Sequence, residues 1–230
     1  MSLSVDVDVR EVDRIDDLVA IERLFASIWR TDRDRPPVNT EVLRALSHTG
    51  CYVAAAWEGE ARLVGASVGF LGAAAAAAGA GAAARDGLHL HSHITGVLPD
   101  AQGRHIGLAL KLHQRQWCLD RGIEVVTWTF DPLVRRNAWF NLHRLGADVV
   151  EFHRDFYGAM TDGINAGQAS DRCVVRWSLP SAGPRPPLEA GSGDVLIAAD
   201  PSSRAALRDA YADGRRIVGM TAGGELVLRA

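Results

Sequence analysis

The amino-acid sequence predicts an α/β protein built on one β-sheet with helices on both faces. The predicted elements follow one another as strand, two helices, three strands, helix, strand, helix and two strands over residues 1–180, an order that a single sheet covered on both sides satisfies. The predicted helices are amphipathic, so each has a face to bury. Hydrophobic residues make up 47% of the 230 residues, which is enough for one substantial core.

The first quarter of the chain predicts a strand and two helices. Residues 4–12 alternate valine with polar residues, which is typical of a half-buried strand. Residues 15–30 place apolar side chains at helical spacing and form an amphipathic helix. Asn39 is the expected N-cap of a short helix through Leu46, which Gly50 ends.

The central part predicts three strands and a long helix. Two apolar runs, residues 51–57 and 62–71, flank a Glu-Gly-Glu turn and indicate a hairpin. The Ala/Gly run over residues 72–84 is of low complexity, and the sequence leaves both a loop and a weak helix open there. We expect a strand over residues 89–98 and a strong helix over residues 106–121.

The next segment predicts the remaining strands of the sheet. Residues 123–130 carry no charge after Glu124, which is typical of a central strand. A helix over residues 137–145 closes at Gly146. Beyond it we expect two strands, over residues 147–156 and 172–179, joined by a polar loop over residues 158–170.

Composition divides the chain into a main domain, a linker and an extension. The main domain spans residues 1–180, and residues 181–193 are rich in Pro, Gly and Ser, as in a linker. The extension, residues 194–230, contains a predicted strand, helix and hairpin, over residues 195–199, 203–212 and 217–229. It is too small to hold a core alone, so we expect it to pack on the main domain or on a partner subunit of a homodimer.

Charge and cysteine content exclude several function classes. The net charge of −3 and the pI near 6.2 disfavour a nucleic-acid partner. The first residues lack the apolar core of a secretory signal, and the Ala/Gly run is too weakly apolar to span a membrane. We therefore expect a cytoplasmic protein with no membrane partner. Cys51, Cys118 and Cys173 have no metal-binding spacing and are expected to be reduced thiols, so no metal site is predicted.

The most informative segment is a strand, a turn and a helix over residues 94–123. The strand ends at Leu98, a turn with Pro99 and Gly103 follows, and a helix begins near Ile106. Unpaired backbone N–H groups at such a helix N-terminus bind anions, because the donors and the helix dipole both favour negative charge. Since Arg104 lies beside them, a diphosphate is the expected ligand.

This segment resembles motif A of the GNAT acetyltransferases, in which Arg or Gln is followed by two residues, Gly, one residue, and Gly or Ala. The preferred register begins three residues after Pro99 and reads Gln102-Gly103-Arg104-His105-Ile106-Gly107. His105 replaces the inner Gly of the motif. A second register begins at Arg104 and ends at Ala109. It matches every position of the motif, but its distance in sequence from Pro99 agrees less well with the family.

The resemblance implies a function and a set of binding residues. It implies a mixed, mostly antiparallel sheet that is splayed at the site of acetyl-CoA or another acyl-CoA, and N-acyl transfer to a small-molecule or peptide amine. The turn through Leu108 would hold the diphosphate. Thr95, Gly96 and Val97 would pair with pantetheine, Gly96 as a bulge and Val97 through an N–H that polarises the thioester. A non-catalytic acyl-CoA-binding or regulatory protein of the same fold is the alternative.

A second segment resembles motif B of the same family, where an Asn-initiated helix ends in Leu-Gly-Phe. Asn137 lies two residues later than the usual Asn of the family, and the role that the resemblance implies for it is in cofactor binding. A Tyr that protonates the departing thiolate often lies four residues before the Gly, where this chain has Leu142. Tyr157 follows a strand that borders the cleft in this fold. It either replaces that general acid or is ordinary core packing.

Three histidines alternate on the strand that the resemblance assigns to the cofactor. His89, His91 and His93 point to one face of that strand. Either His93 acts as the base that deprotonates the acceptor amine, or all three are partly exposed side chains without a catalytic role. Histidines two residues apart on a strand can share a metal ion, but no Asp, Glu or Cys has a diagnostic spacing to them, so the base is preferred.

Overall fold

The computed structural model of the protein describes residues 7–32, 34–59, 61–73, 87–164 and 166–230. They form two compact units. One comprises the described residues of 1–72, 88–123 and 161–166, and the other comprises the rest. The Ala/Gly run was expected to be either a loop or a weak helix. From position 74 onward it lies outside the described residues.

The first unit is a four-stranded sheet with helices on both faces. Strands β1 and β2 pair antiparallel, as do β2 and β3. Leu98 N donates to Val64 O, and His91 lies against Gly69, so β4 also runs antiparallel to β3. The elements are β1 Asp8–Glu11, α1 Ile15–Trp29, α2 Thr40–His48, β2 Tyr52–Glu58, β3 Arg62–Ala73, β4 Leu88–Val97, a 3-10 turn Pro99–Ala101 and α3 Ile106–Leu119.

Two apolar layers hold this unit together. Helix α1 buries Leu18, Ile21 and Phe25 against β2 and β3 on one face of the sheet. Helix α3 buries Ile106 and Leu110 on the other face. Side chains of successive strand residues point to opposite faces, so one sheet serves both layers. The predicted N-cap is confirmed, since the Asn39 side chain accepts a hydrogen bond from Val42 N at 2.9 Å, and the predicted hairpin of β2 and β3 is confirmed as well.

The second unit contains two antiparallel sheets. One has the order β5-β7-β6 and the other β8-β10-β9, and every pairing in them is antiparallel. The elements are β5 Val125–Phe130, α4 Arg135–Trp139, a π-helical turn Phe140–Arg144, β6 Asp148–His153, β7 Arg172–Ser178, β8 Val195–Ala198, α5 Arg204–Ala212, β9 Arg216–Met220 and β10 Glu225–Arg229, with 3-10 turns at Leu179–Ser181 and Pro201–Ser203.

Charged side chains attach α5 to the strands of this unit. Arg208 Nη2 bonds Asp171 Oδ1 at 2.5 Å and Asp155 at 3.2 Å, and Arg204 Nη2 bonds Asp131 Oδ2 at 3.0 Å. Burial opposes ionisation of Asp171, but the hydrogen bonds from Arg208 and from the backbone N–H of Asp155 outweigh it and lower its pKa to about 2. The ionised carboxylate of Asp171 therefore binds Arg208 and holds α5 in place.

Candidate functional site

Strand β4 changes the face toward which its side chains point. Ser92 Oγ accepts a hydrogen bond from Lys111 Nζ of α3 at 2.9 Å. Thr95 Oγ1 lies 2.8 Å from Ser67 Oγ, which in turn accepts from Gln114 Nε2 of α3 at 3.4 Å. In a regular strand residues 92 and 95 would point to opposite faces. Because both face α3, β4 contains an irregular residue of the β-bulge type between them.

Gly96 has a packing role in this strand. A Cβ atom at this position would lie 2.8 Å from Ile28 Cδ1 and 2.9 Å from Trp29 Cζ3, well inside normal contact. The glycine therefore allows the end of α1 to approach β4 closely. The irregularity that sequence analysis assigned to Gly96 lies earlier in the strand, between Ser92 and Thr95.

The backbone groups at the end of β4 point alternately to its two edges. The N–H of Leu98 donates to Val64 O of β3 at 2.9 Å. Backbone polar groups alternate between the two edges of a strand, so those of Thr95 and Val97 point to the edge opposite β3, whereas those of Gly96 face β3. Gln102 Nε2 donates to Val97 O at 3.2 Å and ties the following turn to this edge.

The turn before α3 contains two residues in the left-handed backbone conformation. Gly103 and His105 both have positive φ, 80° and 61°, and His105 is the N-cap of the helix. No described side chain caps this end. The first N–H groups of a helix have no intrahelical partner, so those from Ile106 to Leu108 join the turn as free donors at the positive end of a 14-residue helix.

The charged side chains beside this turn are already paired. Arg104 and Arg62 both form ion pairs with Glu58 of β2, and Arg62 Nη2 also lies 2.6 Å from Asp100 Oδ2. The Arg104 side chain remains 48% exposed, so Glu58 holds it without covering it. An anion at the turn would meet backbone donors first and a partly neutralised Arg104 second.

The histidines of β4 form an aromatic cluster with β3. The ring of Phe70 lies 5.1 Å from that of His91 and 5.6 Å from that of His93, measured between centroids. Burial, with the charges of His93, His89 and Lys111, lowers the pKa of His91 to about 4. His93 is more exposed, and partial burial also lowers its pKa below 6.5. Both imidazoles are therefore uncharged at neutral pH.

In the second unit, Tyr157 is half exposed and has a hydroxyl partner. Its Oη lies 2.7 Å from Thr129 Oγ1 of β5, and the guanidinium of Arg172 lies 5.5 Å from its ring centre. The backbone N–H of Tyr157 donates to Ser170 Oγ at 3.1 Å. With 44% of its surface exposed, Tyr157 is not core packing. Its phenol is held in place and accessible.

The helix predicted over residues 137–145 begins two residues earlier and changes type. Helix α4 starts at Arg135, so Asn137 lies in its first turn, exposed, with its N–H bonded to Val134 O at 2.8 Å. A π-helical turn follows, and Leu142 within it is 5% exposed. Asn137 therefore lies within the helix and does not begin it.

Sequence analysis missed the polar cluster beneath β4. Lys111 and Gln114 of α3 are 5% and 0% exposed, and Ser92 and Ser67 are 4% and 0% exposed. Helical periodicity treats Lys111 as a solvent-facing residue. One signal could have singled it out: among 25 lysine and arginine residues, it is the single lysine.

Two kinds of feature are absent from the part of the chain that the structure describes. No group of three His, Cys, Asp or Glu side chains there has an arrangement that could hold a metal ion. No helix in the same part of the chain is both long and apolar enough to cross a membrane.

Comparison with solved structures identifies the fold as that of the GNAT acetyltransferases. Naa50 of Arabidopsis thaliana, solved with the bisubstrate analogue CoA-Ac-MVNAL, matches over 75% of this chain and 99% of its own, with 18% identity and a TM-score of 0.54. The yncA protein of Salmonella typhimurium, solved with its cofactor acetyl-CoA, matches over 76% and 94%, with 17% identity and a TM-score of 0.54.

A third neighbour acts on another acceptor. Polyamine N-acetyltransferase of Drosophila melanogaster, which forms N-acetylagmatine, matches over 75% of this chain and 100% of its own, with 17% identity and a TM-score of 0.54. At these identities the likeness shows the fold. No protein-family model and no curated protein matches the sequence. The predicted α/β class with mostly antiparallel pairing, as in GNAT proteins, is thus confirmed.

Proposed function

We propose that this protein is an acyl-CoA-dependent N-acyltransferase that uses acetyl-CoA or another acyl-CoA to acylate an amine of a small molecule or peptide. The observation that carries the proposal is the turn before α3, which presents free N–H groups from Gly103 to Leu108 at a helix N-terminus. Such donors suit a diphosphate. The fold supports the same class, since its neighbours include enzymes solved with CoA ligands.

The residues present fit an acyl-CoA. The left-handed residues Gly103 and His105 open the backbone of the turn, and no described side chain occupies the donors at this end of α3. The space beside Gly107 is open, because a Cβ atom at this position would have no other atom within 4 Å. We assign the backbone groups of Thr95 and the N–H of Val97 to the contacts with the amides of pantetheine. Gly96 contributes through packing, since its own polar groups face β3.

Acyl-CoA, when bound, supplies a thioester carbonyl that a neutral amine can attack. We assign the N–H of Val97 to the oxygen of that carbonyl, where negative charge develops. The hydrogen bond from Gln102 Nε2 to Val97 O restrains the backbone of the same residue. His93 is assigned as the base that takes the amine proton, because a neutral imidazole with a lowered pKa has a free lone pair at pH 7.

Tyr157 is assigned as the donor of a proton to the departing thiolate. Its hydroxyl is accessible, and Thr129 can donate to the phenol oxygen once the proton has left. A thiolate of ordinary pKa needs little assistance, so this residue has a smaller role than His93. Asn137 is exposed in the first turn of α4, and its proposed cofactor contact is through the side-chain amide.

One observation favours a second candidate, a non-catalytic acyl-CoA-binding protein. Leu142 stands where GNAT enzymes often carry the acid tyrosine, and it is buried. A protein that keeps the diphosphate turn and lacks the acid would bind the cofactor and release it unchanged.

Calorimetry tests binding first. We expect CoA and acetyl-CoA to bind saturably, and pantetheine, which lacks the diphosphate, to lose most of the affinity. Equal affinities for CoA and pantetheine, or no heat with either, would contradict the assignment of the turn.

Thiol release with a panel of amines tests transfer. We expect His93→Gln to lower kcat about 100-fold or more and Tyr157→Phe about tenfold, with the KM for acetyl-CoA nearly unchanged. His48→Gln, on an exposed position of α2, is the matched control. Tight binding without thiol release from any amine would select the second candidate.

A further inference from the structure

The single lysine of the protein is buried beneath β4. Of 25 basic residues 24 are arginine, and Lys111 is the exception. Its side chain is 5% exposed and lies on the face of α3 that covers the sheet. Every other basic residue in the chain is arginine, so the burial and the contacts of this one lysine set it apart.

Lys111 belongs to a hydrogen-bonded chain that spans the irregular part of β4. Its Nζ donates to Ser92 Oγ at 2.9 Å and to Gln114 Oε1 at 3.1 Å. Gln114 Nε2 donates to Ser67 Oγ at 3.4 Å, and Ser67 Oγ lies 2.8 Å from Thr95 Oγ1. These hydrogen bonds therefore connect Ser92, before the bulge, with Thr95, after it.

An uncharged amine can make both of these hydrogen bonds. A neutral amine has two hydrogens, which it can donate to Ser92 Oγ and to Gln114 Oε1. A guanidinium cannot lose its charge and is too wide for the place of a single Nζ. Burial lowers the pKa of Lys111 from 10.5 to about 7, although the neighbouring Cys118 acts in the opposite direction. The uncharged form is thus accessible near neutral pH.

We propose that Lys111 is a positioning residue of the acyl-CoA site: as an uncharged amine it fixes the bulge of β4 and so sets the direction of the Thr95 and Val97 backbone groups. The inference rests on the function proposed above. Protonation places a charge in the buried chain and reorients its hydroxyl groups, so CoA affinity falls when the pH drops below the pKa of Lys111.

Other titratable groups lie around α3. On α3 itself, burial raises the pKa of Cys118 to about 12 and lowers that of His113. From β4, His91 has a pKa lowered to about 4, and from β2, the pKa of Tyr52 is raised well above 10. The carboxylate of Glu11 on β1 accepts from the ring N–H of Trp117, six residues along α3 from Lys111.

A single lysine allows a direct test on the wild-type protein. Growth on 13C,15N-lysine gives one lysine side-chain signal, whose titration reports Lys111 alone. We expect a midpoint near pH 7, and a Kd for CoA that rises toward tenfold per pH unit below it. Because linkage is reciprocal, saturating CoA must then lower the Lys111 midpoint. A midpoint near 10, or one that CoA does not move, overturns the proposal.

Variants separate positioning from stability. Lys111→Met is expected to raise the Kd for CoA at pH 8 and to abolish its pH dependence, whereas the exposed neighbour Leu112→Met should leave both unchanged. If Lys111→Met folds and keeps the wild-type Kd profile, the inference fails while the acyl-CoA site stands. If Lys111→Met does not fold, the wild-type titration decides. Absence of CoA binding by the wild type would instead refute the proposed function.

Discussion

Replacing Gly96 by alanine tests the close approach of α1 to β4. The new Cβ would lie 2.8 Å from Ile28 Cδ1 and 2.9 and 3.0 Å from two ring atoms of Trp29, against a normal separation of about 3.5–4.0 Å. The Trp29 ring is in edge contact with Phe25, so it cannot simply turn away. Overpacking of this kind costs about 1–3 kcal/mol, and the lower entropy of the unfolded alanine chain offsets about 0.4–1 kcal/mol of it.

We therefore expect Gly96→Ala to lose about 1–2 kcal/mol of unfolding free energy, which lowers Tm by about 2–8 °C in a chain of this size. Urea and thermal melts followed by circular dichroism measure both quantities. Gly107→Ala is the matched control: its Cβ would meet nothing within 4 Å in the first turn of α3, so it should be neutral or stabilising by up to about 1 kcal/mol. A Gly96→Ala protein as stable as the wild type would refute the packing argument.

Two further predictions concern buried charges. Because the pKa of Lys111 falls from 10.5 in the unfolded chain to about 7 in the folded one, unfolding takes up protons between these values. The free energy of unfolding should therefore rise with pH from about 7 to 10.5, by at most about 5 kcal/mol, and Lys111→Met should remove this rise in urea melts. Asp171→Asn should cost about 3–5 kcal/mol, because Arg204 and Arg208 lose their buried partner. Since the pKa of Asp171 is lowered from 3.8 to about 2, its contribution is complete above pH 3.8 and disappears as the pH falls through 2, which an acid melt compared with the variant measures.

The parts of the fold that sequence predicts are those that local patterns determine. Helix α1 was expected over residues 15–30 and spans Ile15–Trp29, and α3 was expected from residue 106 and begins there. Both are set by apolar spacing and by adjacent turn residues. Strands β2 and β3 follow equally from two apolar runs around a turn that Gly59 makes with a positive φ of 59°.

The deviations from prediction have two different origins. The strand expected over residues 147–156 stops at His153, because the N–H of Asp155 bonds Asp171 Oδ1 and the N–H of Phe156 bonds Ser170 O. These partners are distant in sequence, so a local pattern does not reveal them. The early start of α4 has a local origin, since Asp131 Oδ1 accepts from Leu133 N at 2.9 Å in the turn that leads into the helix at Arg135.

The turn before α3 was predictable, and the hydrogen-bonded chain of polar side chains from Lys111 to Thr95 was not. The turn depends on residues consecutive in sequence, from Gly103 to Leu108, whose donors need only a helix N-terminus. The chain from Lys111 to Thr95 joins three elements, and the burial of a lysine depends on acceptors supplied by distant strands. Hydrophobic periodicity assigns polar residues to the surface, so it does not predict the burial of a polar side chain that has hydrogen-bond partners inside the protein.

Leu142 lies beside a cavity with a mixed lining. The cavity has a volume of about 220 Å³, and the apolar side chains of Leu188, Ile217 and Val218 share its wall with His143, Asp148 and Arg185. The N–H of Leu188 bonds Met220 O at 2.8 Å, which holds the apolar part of this wall in place. A phenol at position 142 would cost about 1–3 kcal/mol only if its hydroxyl were left unpaired. Leucine has no proton to donate, so under the proposed function the donor has to come from another element, and Tyr157, whose phenol is accessible, is the residue we propose for it.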